Sequence, residues 1–376
     1  MTQNRRFELA MSPHVSSNQT TRKIMFDVVI ALLPALAAAT WFFGPRALLI
    51  VFISAATAVL SEYFCLKFMK RPVSFALDGS AIVTGILLAY NLPSGVPFWL
   101  PVIGTAFAIV VGKQAFGGLG QNIVNPALLG RAFLMASFPI LMTAGWTAPE
   151  AWRNSDDNPW ETNGIIAEDL NSIPQADAIS GATPLNVLKQ TFEMDSSAEN
   201  AYREGNTAEA ERLEWRATSI RNALSDNSTY INLLIGRRGG SLGETSVILL
   251  LVGAIYLVIR GVLEPRLPVS YLGTVAFFAW VFGGSGWFNG DPLFHVLAGG
   301  VVLGGLFMVS DMVTTPVTPR GRIIFGIGAG LITMVIRRWG GYPEGCSYSI
   351  LLMNLVTPLI DRYTRPKEFG EVRENG

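Results

Sequence analysis

Ten apolar runs, each about 15 to 20 residues long, recur along the 376-residue chain and constrain its fold more than any other feature. A helix needs roughly 20 residues to cross a hydrocarbon core of about 30 Å. The runs lie at approximately 24–43, 46–65, 78–92, 97–112, 126–144, 245–261, 268–286, 291–309, 321–337 and 347–361. Half of the residues are hydrophobic and 15% are charged, against roughly a quarter charged in soluble proteins. The expected fold is therefore an all-α polytopic membrane protein with about ten transmembrane helices. The third and fourth runs are short and carry Pro93, Pro97 and Pro101 at their boundaries. Re-entrant or broken helices around a midplane site and slightly tilted short spans both account for this pattern.

Several function classes drop out on composition. The formal net charge is zero and no Lys/Arg-rich run occurs outside the loop ends, so no nucleic-acid partner is expected. Cys65 and Cys346 lie far apart beside apolar runs, which suits neither a disulfide framework nor a CxxC metal site. No HExxH, Cys/His cluster or nucleophile elbow occurs, so neither a metal centre nor a catalytic hydrolytic residue is expected. The polar first 22 residues hold no cleavable signal before the first apolar run.

Lys and Arg near span ends set the orientation. The N-terminus, every second loop and the C-terminus hold 17 of the 28 Lys+Arg, the intervening short loops hold 3, and the segment 145–241 holds 8. Both termini are thus expected in the cytoplasm, with membrane lipid around the spans; Arg337 and Arg338 run against the rule. The chain divides into a cytoplasmic N-terminus (1–23), a first membrane half (24–144), a periplasmic insertion (145–241), a second membrane half (242–361) and a cytoplasmic tail (362–376). The insertion is acidic, with 15 Asp+Glu against 8 Lys+Arg. Within it, 145–184 is turn-rich and 197–224 reads as one surface helix, so the whole looks like an elaborated loop.

Five runs precede the insertion and five follow, so an internal repeat has to be inverted in the membrane. Pro97-Phe98-Trp99-Leu100, 29 residues before Pro126, and Pro292-Leu293-Phe294-His295, 27 before Pro319, are weak internal matches that support one. Charged residues inside spans are functional candidates by default, because each costs a few kcal/mol at the bilayer centre unless paired or hydrated. Asp27, Glu62, Lys113, Arg131 and His295 qualify; near span ends, structural salt bridges or snorkelling account for most of them.

Two loops carry motifs. Asp177-Ala178-Ile179-Ser180-Gly181-Ala182-Thr183-Pro184-Leu185 sits in the insertion, where Pro184 biases Thr183 toward an extended backbone that presents its hydroxyl, and where Gly181 and Ala182 add little bulk. Phe116-Gly117-Gly118-Leu119-Gly120-Gln121-Asn122, followed by Asn125-Pro126-Ala127, lacks the preceding strand and the GKT of a nucleotide-binding loop. A tight cytoplasmic hairpin explains it equally well.

Together with Ser12-Pro13-His14, Thr21-Arg22-Lys23-Ile24-Met25, Lys113-Gln114 and Gly340-Gly341-Tyr342-Pro343-Glu344-Gly345, these motifs resemble one family over nearly the whole chain. It is the family shared by the D subunits of Rnf ferredoxin:NAD oxidoreductase complexes and the B subunits of sodium-translocating NADH:quinone reductases. The short stretch before the first run fits the Rnf branch better. The resemblance implies a urea-transporter-like pair of inverted five-helix repeats in a bacterial inner membrane. It implies FMN esterified through its phosphate to Thr183 by a flavin transferase, and non-covalent riboflavin held by Asn122, Asn125 and Asp311. Asp311 falls in Met308-Val309-Ser310-Asp311-Met312-Val313-Thr314-Thr315-Pro316, where Asp-Met stands in place of the family's Asp-Pro. The implied role is electron relay within a complex that couples electron flow to Na⁺ or H⁺ export. Its implied partners are an FMN-bearing outer subunit and a cytoplasmic NAD-binding subunit. The alternatives are a quinone reductase B subunit and a urea-like channel.

Overall fold

The computed structural model describes residues 19–147, 149–154, 183–342 and 344–365, and helices make up its regular structure, with one isolated bridge between Pro93 and Ser241. Every apolar run contains helix. The first half comprises α1 (Thr21–Phe43), α2 (Pro45–Phe68), α3 (Ser80–Tyr90), α4 (Trp99–Ile109), α5 (Pro126–Ser137) and α6 (Pro139–Ala144). The second comprises α11 (Val247–Ile259), α12 (Arg266–Phe282), α13 (Pro292–Leu297), α14 (Val301–Leu303), α15 (Pro319–Trp339) and α16 (Cys346–Thr364). Between them lie α7 (Ala151–Asn154), α8 (Pro184–Arg203), α9 (Thr207–Leu224) and α10 (Asn227–Ile235).

Among the described residues, α1, α2 and α15 are long and apolar enough to cross a membrane by length and composition. Shorter apolar helices are α3, α4 with its continuation to Gln114, α11 and α12. Two interruptions explain why other runs yield shorter helices. Pro139, which lacks an N–H, separates α5 from α6. In the eighth run, Ala298 is extended and Gly299 takes φ 73°, so α13 stops and α14 starts afresh. Both α4 and α14 continue as π-helical turns, Val110–Gln114 and Gly304–Met308, a form that often marks functional sites.

The packing is paired. α2 packs against α3 and α4 much as α12 packs against α13 and α15, and α4 on α5 corresponds to α15 on α16. Across the halves, α1 packs on α11 and α5 on α16. These pairs relate helices five runs apart, whereas the Pro97/Pro126 and Pro292/Pro319 match relates the fourth run to the eighth. Small residues allow the approach: a Cβ on Gly253 of α11 would lie 2.0 Å from the Ala31 carbonyl oxygen of α1. Large apolar side chains such as Trp41, Phe52, Phe64 and Ile259 remain more than half exposed, a surface suited to lipid and not to water.

The insertion departs from its expected single helix over 197–224. Gly205 takes φ 80°, and Asn206 caps the following turn by accepting from the Glu209 N–H while its own amide donates to Glu209 Oε2 (2.6 Å). The chain therefore reverses between α8 and α9, and Arg221 closes the hairpin with two bonds to Asp195 (2.6 and 2.9 Å). Leu185, Leu188, Ile220 and Leu233 of this layer join the same apolar core as the two halves.

Candidate functional site

The first residues of α1 and α3, the Gly-rich turn, the start of α5 and the turn after α14 surround one pocket. Asn122, Asn125 and Asp311 all line it, so the fold brings these three together. Val28, Val83, Leu87 and Phe307 give it apolar walls.

Each polar side chain has a distinct local cause. Asn125 is the N-cap of α5: its Oδ1 accepts from the Ala127 and Leu128 N–H groups (3.0 and 3.3 Å), with Pro126 preset for the first helical position. Asn122 donates to the Val124 carbonyl (3.4 Å), and its Oδ1 is buried without a partner. Asp311 sits in a turn where its carboxylate accepts from the Val313 N–H (3.3 Å) and the Thr314 hydroxyl (3.1 Å). Desolvation raises its carboxyl above the usual aspartate range, offset in part by those two bonds. Asp311-Met312 thus still delivers the carboxylate to the pocket.

Sequence reasoning missed Asn354 on α16. With its amide oriented to satisfy both neighbours, it donates to the Thr314 carbonyl (3.2 Å) and accepts from the Asn125 N–H (3.0 Å). Thr357, one turn on, also donates to Thr314 (2.9 Å). Together they tie the two pocket loops to one helix. A buried amide in the run Leu351–Leu355 was the available signal.

Of the charged candidates in the apolar runs, Asp27, Glu62, Lys113 and Arg131 are ion-paired and His295 is not. Asp27 accepts from Tyr256 (2.8 Å) and from Arg260 (3.1 and 3.2 Å). Lys113, in the π turn and on the pocket wall, bonds Glu62 and Ser80, each at 2.6 Å, and Gln114 donates to Glu62 (2.7 Å). Arg131 bonds Glu344, Asn91 and Ser347. His295 Nε2 donates to the Gly283 carbonyl (3.2 Å). Arg337, one of the two exceptions to the positive-inside count, is buried and spent on backbone carbonyls, and Arg338 stacks over Phe192.

Thr183 lies at the other end of the bundle. α1 starts in the pocket and ends where Phe42 accepts from the Glu150 N–H (2.7 Å), while α8 reaches the end of α15 through Lys189, which donates to Gly340 and Gly341. Thr183 is extended, at φ −68° and ψ 157°, as a residue before proline should be. Its hydroxyl is not presented to solvent: Thr183 is 9% exposed, and its Oγ1 accepts from the Asn186 N–H (3.3 Å) as the N-cap of α8. Pro184 is the cause of both, since it extends the residue before it and also starts a helix. Residues Asp177–Ala182 of the motif lie outside the described residues.

The family model described as "NQR2, RnfD, RnfE family" matches residues 8–370. The chain is 40% identical over 368 residues to the D subunit of the proton-translocating ferredoxin:NAD(+) oxidoreductase complex of Clostridium ljungdahlii, covering 98% of this chain and 97% of that one. It is 42% identical over 366 residues to the D subunit of the Na(+)-translocating ferredoxin:NAD(+) oxidoreductase complex of Acetobacterium woodii, covering 96% and 95%. It is 37% identical over 349 residues to the D subunit of the ion-translocating oxidoreductase complex of Stutzerimonas stutzeri, covering 93% and 92%. With the match running nearly end to end, the chain belongs to the NQR2, RnfD, RnfE family.

Proposed function

We propose that this chain is the flavin-bearing electron-relay subunit of an ion-translocating ferredoxin:NAD oxidoreductase complex, with FMN esterified to Thr183 and riboflavin in the pocket of Asn122, Asn125 and Asp311. The observation that carries the reading is the convergence of those three residues, from two loops nearly 190 positions apart, on one apolar-walled pocket. The pocket suits a flavin: the unpartnered Asn122 Oδ1 offers an acceptor, Asp311 a second, and the walls take a planar ring. At the opposite end, Thr183 heads the 20-residue helix α8, where a phosphoester would meet the positive end of the helix dipole. A bound flavin supplies the electron-carrying chemistry; the chain supplies position, hydrogen bonds and exclusion of water.

Ten spans in two inverted five-helix repeats, as in urea transporters, fit the five-apart pairing of helices, which on an alternating path gives partners of opposite direction. On this reading both termini and the riboflavin pocket face the cytoplasm and the insertion the periplasm, the orientation that the charge count favours, and the family resemblance suggests a bacterial inner membrane. The acidic insertion would dock the FMN-bearing outer subunit, and the pocket end would face the NAD-binding subunit. Relatives of nearly equal identity are named for protons and for Na⁺, so likeness alone does not select the ion.

Mass spectrometry of the Thr183 peptide from cells holding the flavin transferase tests the central point. The expected result is an adduct of FMN mass that disappears in Thr183→Val; an unmodified wild-type peptide sinks the proposal.

A further inference from the structure

Glu244 precedes α11 and Glu344 precedes α16, 100 positions apart, yet their carboxylates meet where the two halves join. A Cβ built on Gly300, in the break between α13 and α14, would lie 3.1 Å from Glu344 Oε1 and 3.3 Å from Glu244 Oε1. Both carboxylates therefore flank the same point beside Gly300. Glu344 has strong partners, the Arg131 guanidinium and the Gly300 N–H. Glu244 has the Ser241 hydroxyl. Burial, and then the neighbouring Glu344, raises the Glu244 carboxyl above the usual glutamate range, with Arg131 opposing the rise.

A second, separate observation concerns Arg337 and His295, which are 4% and 3% exposed. Arg337 Nη1 and Nη2 donate to the His295 and Ala298 carbonyls, and its Nε is unpartnered. His295 Nε2 meets Gly283, and its Nδ1 is unpartnered. Both line a narrow cleft beneath Leu185, Leu188 and Phe192 of α8, with room for about one water. His295 also borders a more open cleft between α9 and the 283–291 turn. The inner wall adjoins the carboxylates: a Cβ on Gly299 would be 2.6 Å from Glu344 Oε1 and 3.3 Å from Arg337 Nη2. Two buried polar atoms without partners beside a one-water cleft are groups that a single water can satisfy.

We propose that Glu244 and Glu344 form a proton-binding site at the junction of the halves, exchanging one proton with water that enters from the insertion side past His295 and Arg337. In the loading step a hydronium ion gives its proton to a Glu244 carboxylate oxygen and leaves as water. The resulting neutral acid donates its hydrogen bond to Glu344, and release reverses the transfer. Around the pair stand Arg131 on α5, Arg337 on α15, Cys346 on α16 and Tyr271 on α12, with His295 on α13 behind Arg337. With Arg131 and Arg337 positive and Glu344 negative, the site carries +1 when loaded and 0 when empty. The inference stands whether or not Thr183 carries a flavin.

Infrared difference spectroscopy on the intact complex in lipid vesicles reads this site directly. The wild type should show a protonated-carboxyl band at neutral pH, where a free glutamate of pKa about 4.3 is ionised. The band should vanish in Glu244→Gln, and also in Glu344→Gln, where Glu244 is left beside Arg131 without a like charge. In His295→Phe the band should persist while its exchange into deuterium oxide slows several-fold. If Glu244→Gln does not assemble, Glu244→Asp should move the band. Absence of the band from wild type, its survival in both glutamine variants, or an unshifted band in Glu244→Asp overturns the proposal. Unslowed exchange in His295→Phe overturns the entry route.

Discussion

Lys113 and Glu62 face each other at 2.6 Å inside the first half, 2% and 3% exposed at the side chain. Removing one partner of a buried pair leaves an uncompensated charge at a cost of about 3–5 kcal/mol, whereas removing both is far milder. Lys113→Met should therefore collapse the thermal stability of the purified protein, and Lys113→Met with Glu62→Gln should restore most of it; equal losses would show that the pair is not coupled. Asn125 has two separable duties. Asn125→Asp keeps the cap acceptor of α5 but removes the amide donor, so it should fold normally and copurify with less non-covalent flavin. Asn125→Leu should lose the cap as well, about 1 kcal/mol. Equal flavin content in wild type and Asn125→Asp would place that ligand elsewhere. The residue types at both loops were readable from the chain, but their meeting in space came through the family resemblance. Nothing in the spacing of Asn125 and Asp311 says that Asn354, in a third segment, will hold both loops together.

Helices announced themselves wherever apolar residues ran long, and their interruptions were harder to see. Pro139 was a visible cause of the α5/α6 break, yet Ala298-Gly299-Gly300 looked like an ordinary small-residue stretch within the eighth run. Its break depends on a tertiary fact, since Gly299 leaves room for Leu185, Glu344 and Arg337 that any Cβ would take. The reversal at Gly205 was legible in retrospect, because a glycine followed by Asn206 and Glu209 is a stop beside a start. Gly205 has open space around it, so Gly205→Ala tests backbone conformation alone, at a cost of about 1–2 kcal/mol. Protease sensitivity should rise at the α8/α9 turn with the membrane halves unaffected; unchanged cleavage would mean that the turn tolerates a side chain.

At the scale of the molecule, the pocket of Asn122, Asn125 and Asp311 and the residue Thr183 occupy opposite ends of one bundle, with the Glu244/Glu344 junction at the Thr183 end, where Gly299 separates Glu344 from Leu185. Labelling of single cysteines checks that polarity. In a background with Cys65→Ser and Cys346→Ser, a cysteine at Trp215 should react with a membrane-impermeant maleimide in intact spheroplasts, and one at Gln19 only after lysis. Reaction of both, or of Gln19 alone, would reverse or abolish the assigned orientation.

The capping role of Thr183 has a consequence for biogenesis. A hydroxyl buried at 9% exposure, already spoken for by the Asn186 N–H, is a poor target for a second enzyme once α8 has docked. Under the proposed esterification, cofactor loading becomes a race between two maturation events, ester formation and closure of the first turn of α8. On that proposal a chain that closes first would be a correctly folded dead end, and the ratio of loaded to empty chains in a cell would report how quickly the transferase arrives.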